Sequence, residues 1–449
     1  MITVIFENKK EVTRIEFSRQ AALLNINRDK NKRIFYLSGP RGSGKTKIAQ
    51  DYVRSHANAF YLSFDKLSEK EALDAFRLQY VPDAAAFSDW TEAAAAFISQ
   101  RNKRTTFLIF ENEHSPAMLQ CKQAFRSYIY QTAYVRACEI SIEMLGWSER
   151  SVEVNYKTLA DYFCAFPEYS RQDTIRLHAL TGGILCIAKE LDEKCSFEEN
   201  VNRLLAYDSA FTNTLPAWLA QSFRSPESYY PIFKSIAGGH HRLGEIAKDI
   251  CFPNNKCGKY LEALIQHGYV RALKTESGKQ STYHLANSYF ASWARYACGK
   301  QALQVAEPDR LLAYVMNDID SAVALPAFQS ACKRFIDLAQ KDYLKHYRES
   351  RTKSIQKSML LDTEEGQEVL VDLFVETDDA TYVFLWPHTM DARYTKEEIE
   401  KVYFALESIN AFYNTHIIIF SIERVSDWCV HEAKRNTWLH EVTLERLRF

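Results

Sequence analysis

The opening third of the chain alternates short apolar runs with segments whose apolar residues recur every three or four positions, the pattern of a parallel sheet wound with helices. Residues 33–38 (RIFYLS) predict a strand, and Ile48, Ala49, Tyr52 and Val53 then place an apolar stripe on one face of a helix. A second strand is expected over 59–64, with helices around 69–78 and 91–100. Residues 106–110 (TFLIF) are the most apolar strand of the region and run into Glu111, Asn112 and Glu113. A helix around 119–130 and a strand near 135–142 complete the alternation.

From about 156 to 223 the periodicity is almost wholly helical, broken at Thr181-Gly182-Gly183, where paired glycines end one helix and let the next begin. Pro226 starts another pattern: helices over 229–237, 243–250 and 256–267, then short strands over 269–273 and 282–285. Three helices followed by a β-ribbon are the order of a winged helix-turn-helix, and a further helix over 288–297 leaves it. Residues 299–323 read as a connector. Beyond them come a helix around 327–346, strands over 369–375, 381–385 and 416–420, and a helix over 396–412. The expected fold class is therefore α/β: a parallel sheet with helices on both faces (1–155), a helical subdomain (156–225), a winged helix (226–298), a connector (299–325) and a small α/β domain (326–449).

Composition agrees with a folded chain of several domains. At 449 residues it exceeds one ordinary core, with 47% apolar and 25% charged residues. Basic and acidic side chains number 56 and 57, a net charge of −1, so no whole-protein field draws it onto nucleic acid or anionic lipid and any such surface is local. The ten cysteines form no C-x-x-C pair and no zinc spacing, which predicts small buried thiols in a reducing compartment. Met1 to Glu7 places an acid where a signal peptide needs a basic flank, and no apolar run approaches the roughly 20 residues of a membrane helix. The expectation is a cytoplasmic protein without membrane contact.

The strongest chemical signal is Gly39-Pro40-Arg41-Gly42-Ser43-Gly44-Lys45-Thr46, which satisfies G-x-x-x-x-G-K-[ST] between a predicted strand and a predicted helix. Glycines there let backbone N–H groups wrap phosphates, and the helix start adds its positive end. Lys45 then reaches the terminal phosphates, and the Thr46 hydroxyl joins magnesium. Glu111, after the apolar strand, is the expected metal acid. Asn112 stands where a water-polarising acid is usual, which makes hydrolysis slow unless Glu113 substitutes. Arg150 is a candidate sensor of the terminal phosphate, against the plainer reading of a surface arginine.

This order of features resembles the archaeal-type ATPases of the signal-transduction (AAA+) branch of P-loop proteins. Phe17, Arg19, Leu23 and Leu24 look like the entry helix of that family, GPRGSGKT like its arginine-bearing loop, and Leu180-Thr181-Gly182-Gly183-Ile184-Leu185 like its Gly-Gly element. Glu245-Ile246-Ala247 and Tyr260-Leu261 through Gly268-Tyr269-Val270 follow its winged helix. The resemblance implies ATP and Mg2+ as ligands and a carboxy-terminal domain of restriction-nuclease type. Members with nuclease residues carry Glu on the first helix, Glu-x-Asp on one strand and Glu-x-Lys on the next, a set that holds magnesium and activates water. Here Gln329 replaces the first acid, Asp372 survives, and the strand from Tyr382 to Trp386 carries neither acid nor lysine. The resemblance thus implies a degenerate domain kept for contacts.

Asn254, Asn255, Lys256 and Lys259 stand where a winged helix reads duplex DNA, with Arg271, Lys274 and Lys279 on the ribbon, and the same module serves equally as a nucleotide-dependent lid. The basic stretch 341–357, with Lys345, Arg348, Arg351 and Lys353, reads first as a solvated helix face. Three functions stay open: a slow ATP-dependent switch whose carboxy-terminal domain meets a protein partner or a second copy, a DNA-directed ATPase or nuclease, and a scaffold that binds ATP without turnover.

Overall fold

A computed structural model of the chain describes residues 34–64, 67–102, 104–111, 115–132, 134–140, 151–274, 281–339, 352–362, 368–378, 380–409, 414–423, 425–435 and 438–443. The chain divides into two compact units, Met1–Tyr156 and Lys157–Phe449.

The first unit is built on five parallel strands: β1 (Ile34–Ser38), β2 (Ala59–Ser63), β3 (Thr106–Glu111), β4 (Val135–Ile140) and β5 (Ser151–Glu153), in the order β2-β3-β4-β1-β5. Thr106 to Phe110 are all buried, as a central parallel strand covered on both faces must be. One face is covered by α1 (Lys45–Ser55), whose Ile48, Ala49 and Tyr52 pack with Leu37, Phe107 and Ile109. The other carries α2 (Glu69–Tyr80), α3 (Trp90–Ser99) and α4 (Pro116–Gln131), which bury Phe76, Phe97 and Phe125 against Leu62, Leu108 and Phe110. Ser68 and Glu71 close α2 with a capping box, and Asp89 caps α3 through the N–H groups of Thr91 and Glu92. α1 lacks any side-chain cap: it starts from Gly44 in the left-handed region, with no acid in its first turn.

The second unit opens with α5 (Leu159–Ala165), α6 (Arg171–Thr181), α7 (Leu185–Ala188), α8 (Phe197–Leu205) and α9 (Ala210–Ser222). Then come α10 (Tyr230–Ala237), α11 (Leu243–Asp249), α12 (Asn254–Gln266), an antiparallel ribbon of β6 (Val270–Lys274) and β7 (Ser281–Leu285), and α13 (Ser288–Tyr296). α13 is the hub of this half. Its buried Tyr289 donates to the Phe211 carbonyl, Trp293 to that of Thr212 and Ser292 to that of Ala179. Asn287, just before it, donates to the carbonyl of Gly182. Each buried polar atom thus meets a backbone group that helical packing brings there.

The stretch expected to be a connector is helical instead. α14 (Gln301–Ala306) and α15 (Pro308–Ile319) lead through a π turn (Asp320–Ala324) into α16 (Leu325–Ala339). Among the described residues one helical run, Pro308–Ile336, is long and apolar enough to cross a membrane by length and composition alone, a test that the core helix of a soluble protein also passes. Within this unit it is tied in by charge: Asp318 takes a two-point bond from Arg295, and Asp320 one from Arg176. Leu311, Val315 and Ile319 form its buried stripe.

Five more strands follow: β8 (Thr352–Asp362), β9 (Glu368–Thr377), β10 (Thr381–Leu385), β11 (Thr415–Phe420) and β12 (Leu439–Val442), ordered β12-β11-β10-β9-β8. β10, β11 and β12 are mutually parallel, and β9 runs antiparallel to both β8 and β10. α17 (Lys396–Ser408) buries Ile399, Val402 and Leu406 on one face, and α18 (Asp427–Arg435) contributes Cys429. Lys353 and Lys357 lie on β8, so the basic stretch is a strand there and not a helix face; residues 340–351 are outside the described residues.

Gly183 has φ +70, and a Cβ there would stand 2.1 Å from the Lys157 carbonyl oxygen. Gly258, inside α12, has open space around its would-be Cβ. Gly183→Ala is expected to destabilise the second unit by about 1–3 kcal/mol, while Gly258→Ala stabilises it by roughly 0.5–1 kcal/mol. Denaturant unfolding of both variants checks the pair; equal shifts would contradict the described backbone at Gly183.

Candidate functional site

The glycine-rich loop leaves the carboxy end of β1, between β4 and β5, on the side where parallel sheets leave room for ligands. Gly39, Gly42 and Gly44 have φ of 140°, 82° and 100°, values that side chains with a Cβ rarely adopt. Gly39 is further constrained by its neighbour, because a Cβ there would meet the Val154 carbonyl oxygen at 2.1 Å. Val154 donates its own N–H to the Ser38 carbonyl at 2.8 Å, so β5 and the residue after it form the back wall of the loop.

Lys45 opens α1 and is buried, 6% exposed. Its ammonium donates to the carbonyls of Gly39 at 2.7 Å and Pro40 at 2.8 Å, holding the loop closed on itself. Burial lowers its pKa to about 8, against the pull of Glu111, and Arg41 lowers it further. Beside it, Thr46 donates its hydroxyl to Glu111 Oε1. Burial raises the Glu111 carboxyl above the usual range, opposed by the Thr46 hydrogen bond and then by Lys45. Ser43 is 5% exposed, and among the described residues its buried hydroxyl has no hydrogen-bond partner.

The residues fit a nucleotide with its metal. An uncapped helix start offers backbone N–H donors, Lys45 supplies a desolvated cation, and Ser43 carries an unspent polar atom within the loop. Thr46 and Glu111 bring a hydroxyl and a carboxylate together, the oxygen ligands magnesium prefers. Of the residues singled out in the sequence, the structure unites Gly39 to Thr46 with Glu111, which is the last residue of β3. Asn112, Glu113, Arg150, Lys279 and the stretch 17–24 lie outside the described residues. Val154 could not be singled out by motif, because its role rests on its carbonyl and not on its side chain.

On α12, Asn254, Asn255, Lys256 and Lys259 are exposed, as are Arg271 and Lys274 on β6. The Lys256 ammonium sits 4.0 Å above the Phe252 ring. In the carboxy-terminal sheet, the buried Asp372 carboxylate accepts from the Trp386 N–H at 2.8 Å and lies 2.7 Å from His388 Nε2. Burial raises that carboxyl, while the Trp386 bond and His388 pull it down. Gln329 donates to the Pro387 carbonyl. Among the described residues no group of three or more His, Cys, Asp or Glu is placed to hold a metal ion. His388 escaped sequence reasoning because a turn, and no motif, brings it to Asp372.

Strand, glycine-rich loop and helix, set in a parallel sheet, define a P-loop α/β unit. No family model matches the chain. It is 22% identical over 308 residues to the uncharacterized protein MJECL04 of Methanocaldococcus jannaschii, spanning 63% of this chain and 68% of that protein. Among solved structures it is similar to the Walker-type ATPase paby2304 of Pyrococcus abyssi, with a TM-score of 0.46 and 13% identity over 62% of this chain and 95% of that one. It is also similar to Cdc6p from Pyrobaculum aerophilum, with a TM-score of 0.31 and 12% identity over 69% and 96% of the two chains.

The buried lysine generates a pH dependence. With its pKa lowered to about 8, the ammonium form is complete well below that value and is lost as pH rises through it. A polyphosphate favours the ammonium, so affinity for ATP is expected to be level below about pH 7.5 and to fall towards tenfold per pH unit above about 8.5. Titration calorimetry across this range checks it, and a flat profile to high pH would rule out a depressed Lys45.

Proposed function

We propose that the chain binds ATP with Mg2+ at the loop from Gly39 to Thr46 and acts as a slowly hydrolysing switch, nucleotide occupancy governing how the rest of the chain engages a partner. The observation that carries this reading is the buried Lys45 ammonium, which among the described residues donates to the carbonyls of Gly39 and Pro40, beside an uncapped helix start and the Thr46–Glu111 pair. A desolvated cation among backbone donors is costly unless an anion joins it, and a triphosphate is an anion of the right reach. Arg41, Gly42, Ser43 and Gly44 wrap the phosphates, Thr46 and Glu111 hold the metal, and Asn112 in place of an acid keeps turnover slow. ATP rather than GTP follows from the family resemblance. The carboxy-terminal sheet, with Asp372 engaged by Trp386 and His388, serves as a contact module rather than a nuclease.

Lys45→Ala removes a charge-assisted contact with the phosphates and is expected to weaken ATP binding by about ten- to a hundredfold, from roughly 1.5–3 kcal/mol. Glu111→Gln should leave binding without metal nearly unchanged and reduce its dependence on Mg2+. Calorimetry with and without Mg2+, together with steady-state phosphate release, reads both. Heat from wild type that persists undiminished in Lys45→Ala would end this reading, and binding without any phosphate release would leave a non-hydrolysing scaffold.

A second reading is favoured by the exposed amides and cations at the start of α12 and along β6. We read residues 226–298 as a winged helix that meets duplex DNA through Asn255, Lys256, Lys259 and Lys279. Binding should weaken steeply with salt, and Lys256→Ala with Lys259→Ala should lower the slope of log affinity against log salt by about 2. An electrophoretic salt series measures it; no shift at the lowest salt would leave the module as a lid.

A further inference from the structure

A cavity of about 650 Å³ opens in the second unit between the start of α11 and β7, a volume within the roughly 300–1,000 Å³ of small-molecule sites. Its walls are fixed to one another. The Tyr283 N–H donates to the His241 carbonyl at 2.8 Å, His241 Nδ1 lies 3.1 Å from the Tyr283 carbonyl, and Arg242 bridges to Thr282 in antiparallel register. The His241 and His284 rings stack beside this seam, with centroids 4.4 Å apart. A ligand entering here meets groups already in place, which lowers the ordering cost of binding.

The lining is cationic. Arg242 and Lys248 are exposed on the α11 side, and Ser281 and Tyr283, two residues apart, line the cavity from β7. Lys274 stands directly opposite Ser281 on β6 and is also exposed, so the same face of the ribbon carries a third cation. The acid in the lining, Glu245, has its carboxylate engaged. Its Oε2 accepts the N–H groups of Arg242 at 3.0 Å and His241 at 3.2 Å, which holds the carboxyl below its usual range, and Arg242 Nε approaches only to 3.9 Å. Among the described residues the Lys248 ammonium and the Ser281 and Tyr283 hydroxyls form no hydrogen bond or ion pair. In a chain whose net charge is −1, three cations around one engaged acid make a local positive field that an anion answers. Tyr283 adds a ring and Leu243 an apolar side chain to the same lining, a surface on which a flat ring stacks.

We propose that this cavity binds a nucleotide unit, its phosphate held by Arg242 and Lys248 with the Ser281 hydroxyl donating, and its base against Tyr283 and Leu243. A small carboxylate would use the cations and leave the ring idle, and a bare aromatic would do the reverse. A phosphate joined to a base uses both, and the fork of Arg242 suits paired phosphate oxygens. That chemistry is shared by a free nucleotide and by one residue of a single strand. The site lies wholly in the second unit, is additional to the loop from Gly39 to Thr46, and does not depend on it.

Titration calorimetry with AMP on the full chain carrying Lys45→Ala, which removes the cation of the loop, tests it. One equivalent of AMP is expected to bind. Arg242→Ala with Lys248→Ala should weaken it by about tenfold or more, because two charge-assisted contacts are lost. Tyr283→Ala should weaken AMP by about fivefold or more and leave inorganic phosphate unaffected, a split that loosening of the ribbon would not give. Gly244 lines the same cavity, and an added Cβ there would meet nothing within 4 Å. Gly244→Leu therefore fills the space, and it should raise the unfolding midpoint while weakening AMP by about tenfold. That pairing of gain and loss keeps the proposal testable if an alanine variant folds poorly. A short single-stranded oligonucleotide that binds more tightly than AMP identifies a strand as the source, and the reverse order a free nucleotide; either supports the site. No heat with AMP or the oligonucleotide, or heat unchanged in all these variants, overturns it. Absence of AMP heat beside intact Mg2+-dependent ATP binding by wild type ends this inference alone, and AMP heat beside ATP binding indifferent to Lys45→Ala ends the loop reading alone.

Discussion

The first unit depends on one unfavourable placement, a lysine ammonium withdrawn from water at the start of α1. Desolvation is the largest influence on Lys45 and works against its charge. Two loop carbonyls and the nearby Glu111 offset that cost, and each is supplied by the order of the sheet. β1 launches the loop, β3 delivers Glu111 two strands away, and β5 brings the Val154 carbonyl against Gly39. A Cβ at position 39 would force the wall and the loop apart, so the glycine is required by the neighbouring strand as well as by its own dihedral angle.

The second unit is organised by paired charges and buried polar anchors. Arg176 on α6 and Arg295 on α13 reach Asp320 and Asp318 on either side of the step from α helix to π turn. Single-turn π segments are costly and persist where side chains over-determine them. Here two forked guanidinium–carboxylate bonds hold the start of the irregularity, one just before it and one at its first residue, and Tyr296 adds a hydroxyl to Asp318. Gln172 on α6 also donates to the Met390 carbonyl, so one helix touches the π turn and a loop of the carboxy-terminal sheet. Both contacts lie within the compact unit Lys157–Phe449.

Legibility in the sequence followed the range of the interaction that builds each element. β1, β3 and the loop between β1 and α1 were plain because apolar runs and a glycine motif are local signals. The helices of 299–325 were missed because what fixes them is distant: Arg176 and Asp320 are 144 residues apart, Arg295 and Asp318 are 23. β8 was missed for the opposite reason. TKSIQKSMLLD lacks a clean alternation because most of the strand is exposed, so no burial pattern was written into it. β12 is short and its partner strand precedes it by a long excursion, which left only four residues to read. At the site itself, Thr46 and Glu111 could be named from motif and strand end, whereas the unspent Ser43 hydroxyl and the Val154 wall needed coordinates.

The choice of glutamate at position 111 has its own consequence. Its arm is long enough for a direct bond with the Thr46 hydroxyl, so the two oxygens that suit a divalent cation already satisfy one another. A cation taking both must displace that bond, and it meets a carboxyl that burial holds towards the neutral form. If the proposed ligands bind here, metal binding is coupled to ionising Glu111, just as phosphate binding is coupled to keeping Lys45 charged. Bringing the two together makes each easier, because the anionic tail offsets the desolvated lysine while the cation offsets the desolvated acid. On the proposed reading, nucleotide and metal would therefore bind better as a pair than either alone, because each offsets the desolvation of the group that the other leaves exposed.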